Sequence, residues 1–175
     1  VADSGNHRIV AWNLPINAAN KARISLLGQD NWTSCGANRS NATAKKNSLN
    51  NPTAVLSDGK RFLISDTGNH RVLGWTSFPI LETPEVSVTA PEFVLGQADF
   101  ESSGTNGGST VSASSFNAPT SGMGFSGSQI CIADSGNNRV LIWNGIPDEK
   151  IDPITVLGQQ NMSGKDPSLI YLLRF

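Results

Sequence analysis

The sequence predicts an all-β protein assembled from repeated units of short antiparallel strands, and three observations carry that expectation. Nearly the same string occurs three times: VADSGNHRIVAWN at residues 1–13, ISDTGNHRVLGWT at 64–76 and IADSGNNRVLIWN at 132–144. Its aspartates, Asp3, Asp66 and Asp134, recur about every 65 residues, and self-similarity of this kind marks a supersecondary unit copied along the chain. A second string trails each copy at a variable distance, LLGQDNW at 26–32, VLGQADF at 94–100 and VLGQQNM at 156–162. Charged residues make up only 15% of the chain, and 17 glycines and 9 prolines suit many short strands joined by turns better than helices.

Each unit resolves into strands in order. Asn51-Pro52-Thr53-Ala54-Val55-Leu56, matched by Ala118-Pro119-Thr120-Ser121-Gly122-Met123, reads as a first strand with its proline at the start, where a missing N–H is tolerated. The apolar runs 59–66 and 127–134 make a second strand ending in aspartate. Ser/Thr-Gly-Asn then turns the chain, because glycine accepts positive φ and asparagine bonds its own backbone. The third strands, 8–12, 71–75 and 139–143, are β-branched and aromatic and apolar at nearly every position, as expected of a strand buried on both faces. The Val-Leu-Gly-Gln run supplies a fourth. Four antiparallel strands stacked on copies of themselves describe a propeller blade.

The pattern Pro-x-x-(apolar), Gly, (apolar)-Asp-Ser/Thr-Gly-Asn-x-Arg-Val-(apolar)-x-Trp resembles the NHL repeat, and the trailing VLGQ strand resembles a long-repeat bacterial variant of it. The resemblance implies a β-propeller, commonly of five or six blades, used by most members as a binding platform and by a few as an enzyme. On this frame the chain is a single propeller segment over residues 1–175, with blade strands in 1–29, 49–97 and 116–159 and an orphan first strand in 167–175. That is twelve strands, three blades' worth, against the roughly 4 to 8 blades that close a ring. The expectation is therefore half of a six-bladed ring completed by a second copy in a two-fold homodimer, with a fragment of a longer propeller as the alternative. The link from Gln159 to Pro167 is much shorter than its counterparts, which puts the last strand's register in question.

Repetition also sorts the candidate residues. Asp3 with Arg8, Asp66 with Arg71 and Asp134 with Arg139 occur once per unit, as expected of a fold-specifying pair joined by charge-assisted hydrogen bonds. Trp12, Trp75 and Trp143 are assigned to packing between blades, with Trp32, Phe100 and Met162 filling a related slot. Strand order brings the turns and the long polar connectors 30–49 and 98–115 to one face, while 13–23 and 76–92 leave at the other. Long connectors on a rigid scaffold are where recognition usually resides. The candidate ligand-binding residues are accordingly Asn38, Arg39, Lys45 and Lys46 in the first connector, Asn50, Asn51 and Thr53 after it, and His7, His70 and Asn138 on the turns.

The function expected is a non-enzymatic scaffold recognising a protein, peptide or glycan. The alternative is a lyase of the peptide-amidating type, which in NHL-like enzymes uses a metal held by histidines in the central channel. No first strand here carries histidine, and His7 and His70 with distant cysteines do not supply the three or four ligands of a zinc site. No metal, cofactor, P-loop or dinucleotide fingerprint is predicted. A net charge of −1 gives no footprint for nucleic acid, although Arg39, Lys45 and Lys46 form one small basic cluster. No apolar run reaches the roughly 20 residues of a membrane span. Cys131 is expected buried and unpaired. Asn31, Asn38, Asn41 and Asn161 begin Asn-x-Ser/Thr sequons, a weak signal in an Asn-rich chain, and the sequence does not fix a location, a secreted or periplasmic one being the nearer expectation.

Overall fold

A computed structural model describes residues 1–12, 23–77 and 90–167. Strands β1 (Ala2–Asp3), β2 (Arg8–Trp12) and β3 (Arg23–Leu27) form a first sheet. β4 (Pro52–Ser57), β5 (Phe62–Asp66), β6 (Arg71–Trp75) and β7 (Phe93–Leu95) form a second, and β8 (Pro119–Ser126), β9 (Gln129–Asp134), β10 (Arg139–Trp143) and β11 (Thr155–Leu157) a third. All pairings between strands are antiparallel and follow chain order, so each sheet is a meander that does not close on itself. The described residues contain no α-helix, and no helix among them is long and apolar enough to cross a membrane. The orphan strand expected in 167–175 falls, apart from Pro167, outside the described residues, as do most of the connectors 13–23 and 76–92.

The sheets pack face to face, and the alternation of side chains along each strand decides which neighbour each residue meets. Phe62, Ile64, Leu73, Trp75 and Val94 of the second sheet join Ile9 and Leu27 of the first, with Leu49 of the connector, in one core. Leu63, Val72, Phe93 and Leu95 point the other way and meet Ile130, Ile132, Leu141 and Trp143 of the third, with Phe116 and Ile146. Every residue of β5 and β6 is therefore buried, as a run apolar at successive positions requires. Trp75 packs edge-on against Phe62 with ring centroids 5.7 Å apart, and Trp143 lies beside Phe116 at 6.3 Å.

The third sheet packs against another described sheet on one side only. Its β9 alternates buried and half-buried residues, and Cys131 lies half-buried on the open side instead of in the core. The residues at the equivalent register in the second sheet, Leu63 for Cys131 and Val72 for Val140, are buried because the third sheet covers them. No described sheet does the same for the third.

The hairpin between the second and third strands of each unit differs in one respect from expectation. The Ser/Thr-Gly-Asn segments, Ser4–Asn6, Thr67–Asn69 and Ser135–Asn137, are single 3-10 turns. The left-handed residue is not the glycine but the next residue but one, His7, His70 and Asn138, with φ of 53°, 52° and 53°. Gly68 and Gly136 are required for close approach: a Cβ at Gly68 would sit 2.8 Å from the Asn50 carbonyl oxygen, and one at Gly136 2.6 Å from that of Asn117. The turn leaves aspartate and arginine directly opposite each other across the ladder, Asp3 with Arg8, Asp66 with Arg71 and Asp134 with Arg139.

Candidate functional site

The polar residues of the repeat converge at the turn end of the sheets. In the second sheet Arg71 Nε donates to Asp66 Oδ2 at 2.7 Å, and both side chains are fully buried. The other carboxylate oxygen accepts the Asn50 N–H at 2.7 Å, and Asn69 Nδ2 donates to Oδ2 at 2.8 Å. Burial pushes the Asp66 carboxyl up, while the Arg71 guanidinium and the Asn50 and Asn69 donors pull it back. The rest of the guanidinium holds backbone, with Nη2 donating to the Lys45 and Ser48 carbonyls at 3.1 and 2.9 Å and Nη1 to Phe100 O. One arginine thus ties β6 to the connector before its sheet and to the loop after it. Arg139 repeats every contact, to Asp134 at 2.7 Å, to the Ser112 and Ser115 carbonyls at 2.9 and 2.8 Å, and to Met162 O. Arg8 and Asp3 are joined at the same distance but remain partly exposed, at 13% and 32%.

The histidines join neighbouring sheets. His7 Nδ1 accepts the Asn51 N–H at 2.9 Å, and His70 Nδ1 accepts the Ala118 N–H at 2.9 Å. Burial lowers the His70 pKa, with Asp134 and Asp66 opposing it, and the neutral ring is the form that accepts this bond. Thr105 Oγ1 approaches the outer nitrogen, Nε2, at 3.4 Å. In the third unit Asn138 takes the position and donates to Lys165 O at 3.1 Å.

The hydroxyls of the turns also cross between sheets. Ser4 Oγ donates to the Pro52 carbonyl, and Thr67 Oγ1 to that of Pro119. Beside them Asn38, buried and left-handed at φ 51°, exchanges amide hydrogen bonds with Asn69 at 2.8 and 3.2 Å. Asn106, at φ 55°, faces Asn137 one sheet further on through a single bond, accepting its amide at 2.7 Å. The glutamine of each VLGQ string completes the seam: Gln29 Nε2 donates to the carbonyls of Asn6, His7 and Gly36, and Gln97 Nε2 to those of Asn69, His70 and Gly104.

Most residues singled out as ligand contacts are therefore engaged within the scaffold. His7 and His70 bridge sheets, and Asn38 ties its connector to the turn of the second sheet. The Asn51 N–H meets His7, and Thr53 Oγ1 bonds Thr67 Oγ1 at 2.7 Å. Asn50 binds Asp66 through its backbone and the Gly68 carbonyl through its side chain. Arg39 pairs with exposed Asp30 at 2.7 Å, and Lys46 Nζ sits 4.7 Å from the centre of the Phe100 ring. Lys45, Asn47 and Asn138 face solvent at this end. Trp75 and Trp143 are in the inter-sheet cores and Trp12 is half-buried. Among the described residues no group of three or more His, Cys, Asp or Glu gathers in a way that would hold a metal ion.

Sequence reasoning missed the roles of two sets of residues and the whole of a third. The turn hydroxyls were read as local turn formers. The paired asparagines were legible in connectors that look unrelated: each has Gly-x-Asn seven residues after its glutamine, Gly36-Ala37-Asn38 and Gly104-Thr105-Asn106. The third set lines a groove of about 330 Å³ at the far end of β10, between Arg61 and the connector 144–154. Apolar spacing alone gives no signal for that groove, because its isoleucines lie in a loop. No protein-family model and no curated protein matches the chain.

Proposed function

We propose that the chain is part of an NHL-type β-propeller and works as a non-enzymatic interaction scaffold, recognising a protein, peptide or glycan over its polar connector face. The observation that carries this reading is how the repeated polar residues are used. Aspartate, arginine, asparagine, glutamine and histidine, the residue types chemistry would draw on, are spent on holding each turn to its own sheet, to the flanking connectors and, through histidine, to the next sheet. Repeated meanders stacked through two apolar cores support a blade-like arrangement. Lys45, Asn47 and Asn138 remain exposed around the seams, a polar rim on a rigid base.

The half-covered face of the third sheet supports a second element of the proposal. Cys131, Val140, Ile142 and Leu157 lie on that face, with Gly124 and, against Ala133, Gly122. A second copy of the chain is the occupant we assign to it, in a six-bladed two-fold assembly. Ligand recognition is tested by probing the full chain against glycan and peptide arrays beside a Lys45→Glu, Asn47→Asp variant. Capture lost in the variant at unchanged melting temperature is expected; capture that survives it, or none by the parent chain, contradicts the assignment of the binding face.

A further inference from the structure

We infer that the groove beside Arg61 is a docking surface for an extended peptide segment carrying a lysine or arginine between aliphatic residues. It goes beyond the connector-face reading, because it lies at the end of the sheets away from the Asp-Ser/Thr-Gly-Asn turns, where Arg61 precedes β5 and Asn144 leaves β10. Its volume, about 330 Å³, is at the small end of ligand-binding clefts and fits a short stretch of chain.

Two features fix the chemistry of the occupant. The first is exposed hydrocarbon. Ile151 and Ile154, 53% and 51% exposed, both line the groove, and the only other large apolar side chains so exposed among the described residues are Val1 and Phe125. Buried Trp143, Ile146 and Pro147 stand beneath them. Apolar side chains gathered at a polar rim, unlike ones scattered singly, mark an interaction surface. The second is charge. Asp148, Glu149 and Asp152 stand around the groove, all exposed, in a chain whose net charge is only −1.

Among the described residues, the basic groups nearby cancel this charge only in part. Arg61 is held by Asp58, Nε to Oδ2 at 2.8 Å, and approaches Asp148 only at 3.5 Å. Despite its partial desolvation, Asp58 accepts the Arg61 and Lys60 N–H groups and the guanidinium, which hold its carboxyl down at about 2, so this pair persists at neutral pH. Lys150 Nζ turns away to the Gln97 carbonyl at 2.7 Å. Glu149 and Asp152 are left to meet a cation brought by the partner, with Ile151 and Ile154 for its aliphatic neighbours.

The test uses the full chain and a fluorescein-labelled heptapeptide alternating isoleucine with lysine, its counterpart with glutamate for lysine, and spermine as competitor. Saturable binding of the lysine peptide is expected, weakened by salt, and absent for the glutamate peptide. Glu149→Lys with Asp152→Lys should weaken it about tenfold or more, and Ile154→Ser about tenfold, with melting temperatures unchanged because all three side chains are exposed. Lys45→Glu, at the other end, should have no effect, which separates this site from the connector face. The inference is overturned by absence of saturable binding, by equal binding of both peptides, or by affinity insensitive to the charge reversals. Binding that spermine displaces and that Ile154→Ser leaves intact overturns it as well, since that would be a site for bare cations.

Discussion

Replacing Arg71 with alanine tests the assignment of the repeated pair to the scaffold. The side chain is fully buried and makes four directed contacts: the Asp66 carboxylate and the carbonyls of Lys45, Ser48 and Phe100. Truncation leaves the buried Asp66 carboxylate without its counter-charge and takes one donor from each of three carbonyls. Removing one partner of a buried ion pair costs about 3 to 5 kcal/mol. In a chain of this length each kcal/mol lowers the melting temperature by about 2 to 4 °C, so Arg71→Ala should melt about 6 to 20 °C below the parent. Arg8→Ala removes the same pair where the side chains are 13% and 32% exposed, and water screens what is left behind. Its expected cost is about 1 kcal/mol. Urea titration and calorimetry on both variants measure the contrast. Equal losses at the two sites, or an Arg71→Ala variant within about 1 kcal/mol of the parent, would refute the reasoning.

Other tests follow from the same seams. The His70 pKa is lowered by burial, so the folded protein binds fewer protons than the unfolded chain just below the ordinary histidine value of about 6.5. The stability this provides is complete above about pH 6.5 and declines as pH falls from there toward the folded pKa; the urea midpoint should drop accordingly, and His70→Asn should flatten that part of the profile. A parent and variant with identical pH slopes would argue against it. Gly96→Ala places a Cβ 2.5 Å from the Phe116 ring and 2.9 Å from the His70 carbonyl oxygen at φ +93°, and should cost about 3 kcal/mol or more. Gly59→Ala, at φ +91° in open space, should cost about 1 kcal/mol, and similar denaturation midpoints for the two would show that crowding is unimportant. Gln97→Glu takes a donor from three carbonyls and buries a charge, so a loss of about 3 kcal/mol is expected, against none for exposed Gln160→Glu.

Strand identity and sheet membership were legible because apolar runs and turn residues recur in register, and the repeats place Asp66 opposite Arg71 without any structural knowledge. The candidate site was less so. A side chain such as His70 looks like a surface turn residue because its partner, the Ala118 N–H, lies 48 residues away on another sheet. The role of Gly68 was misattributed for a related reason: glycine is needed in the turn, but the Asn50 carbonyl that crowds it comes from a different connector. Cys131 was placed in the core on the strength of its apolar strand, yet whether a face is covered depends on the neighbouring sheet and not on the strand itself. The groove isoleucines, Ile151 and Ile154, obey no strand or helix period at all.

The open face of the third sheet leads to the most direct measurement. If a second copy stacks the same kind of sheet there, size-exclusion chromatography with light scattering on the full chain should give about twice the 18.5 kDa chain mass. Val140→Asp, which sets a carboxylate in that apolar face, should reduce the mass to that of one chain. A soluble, folded monomer of the unmodified chain would contradict the stacked assembly.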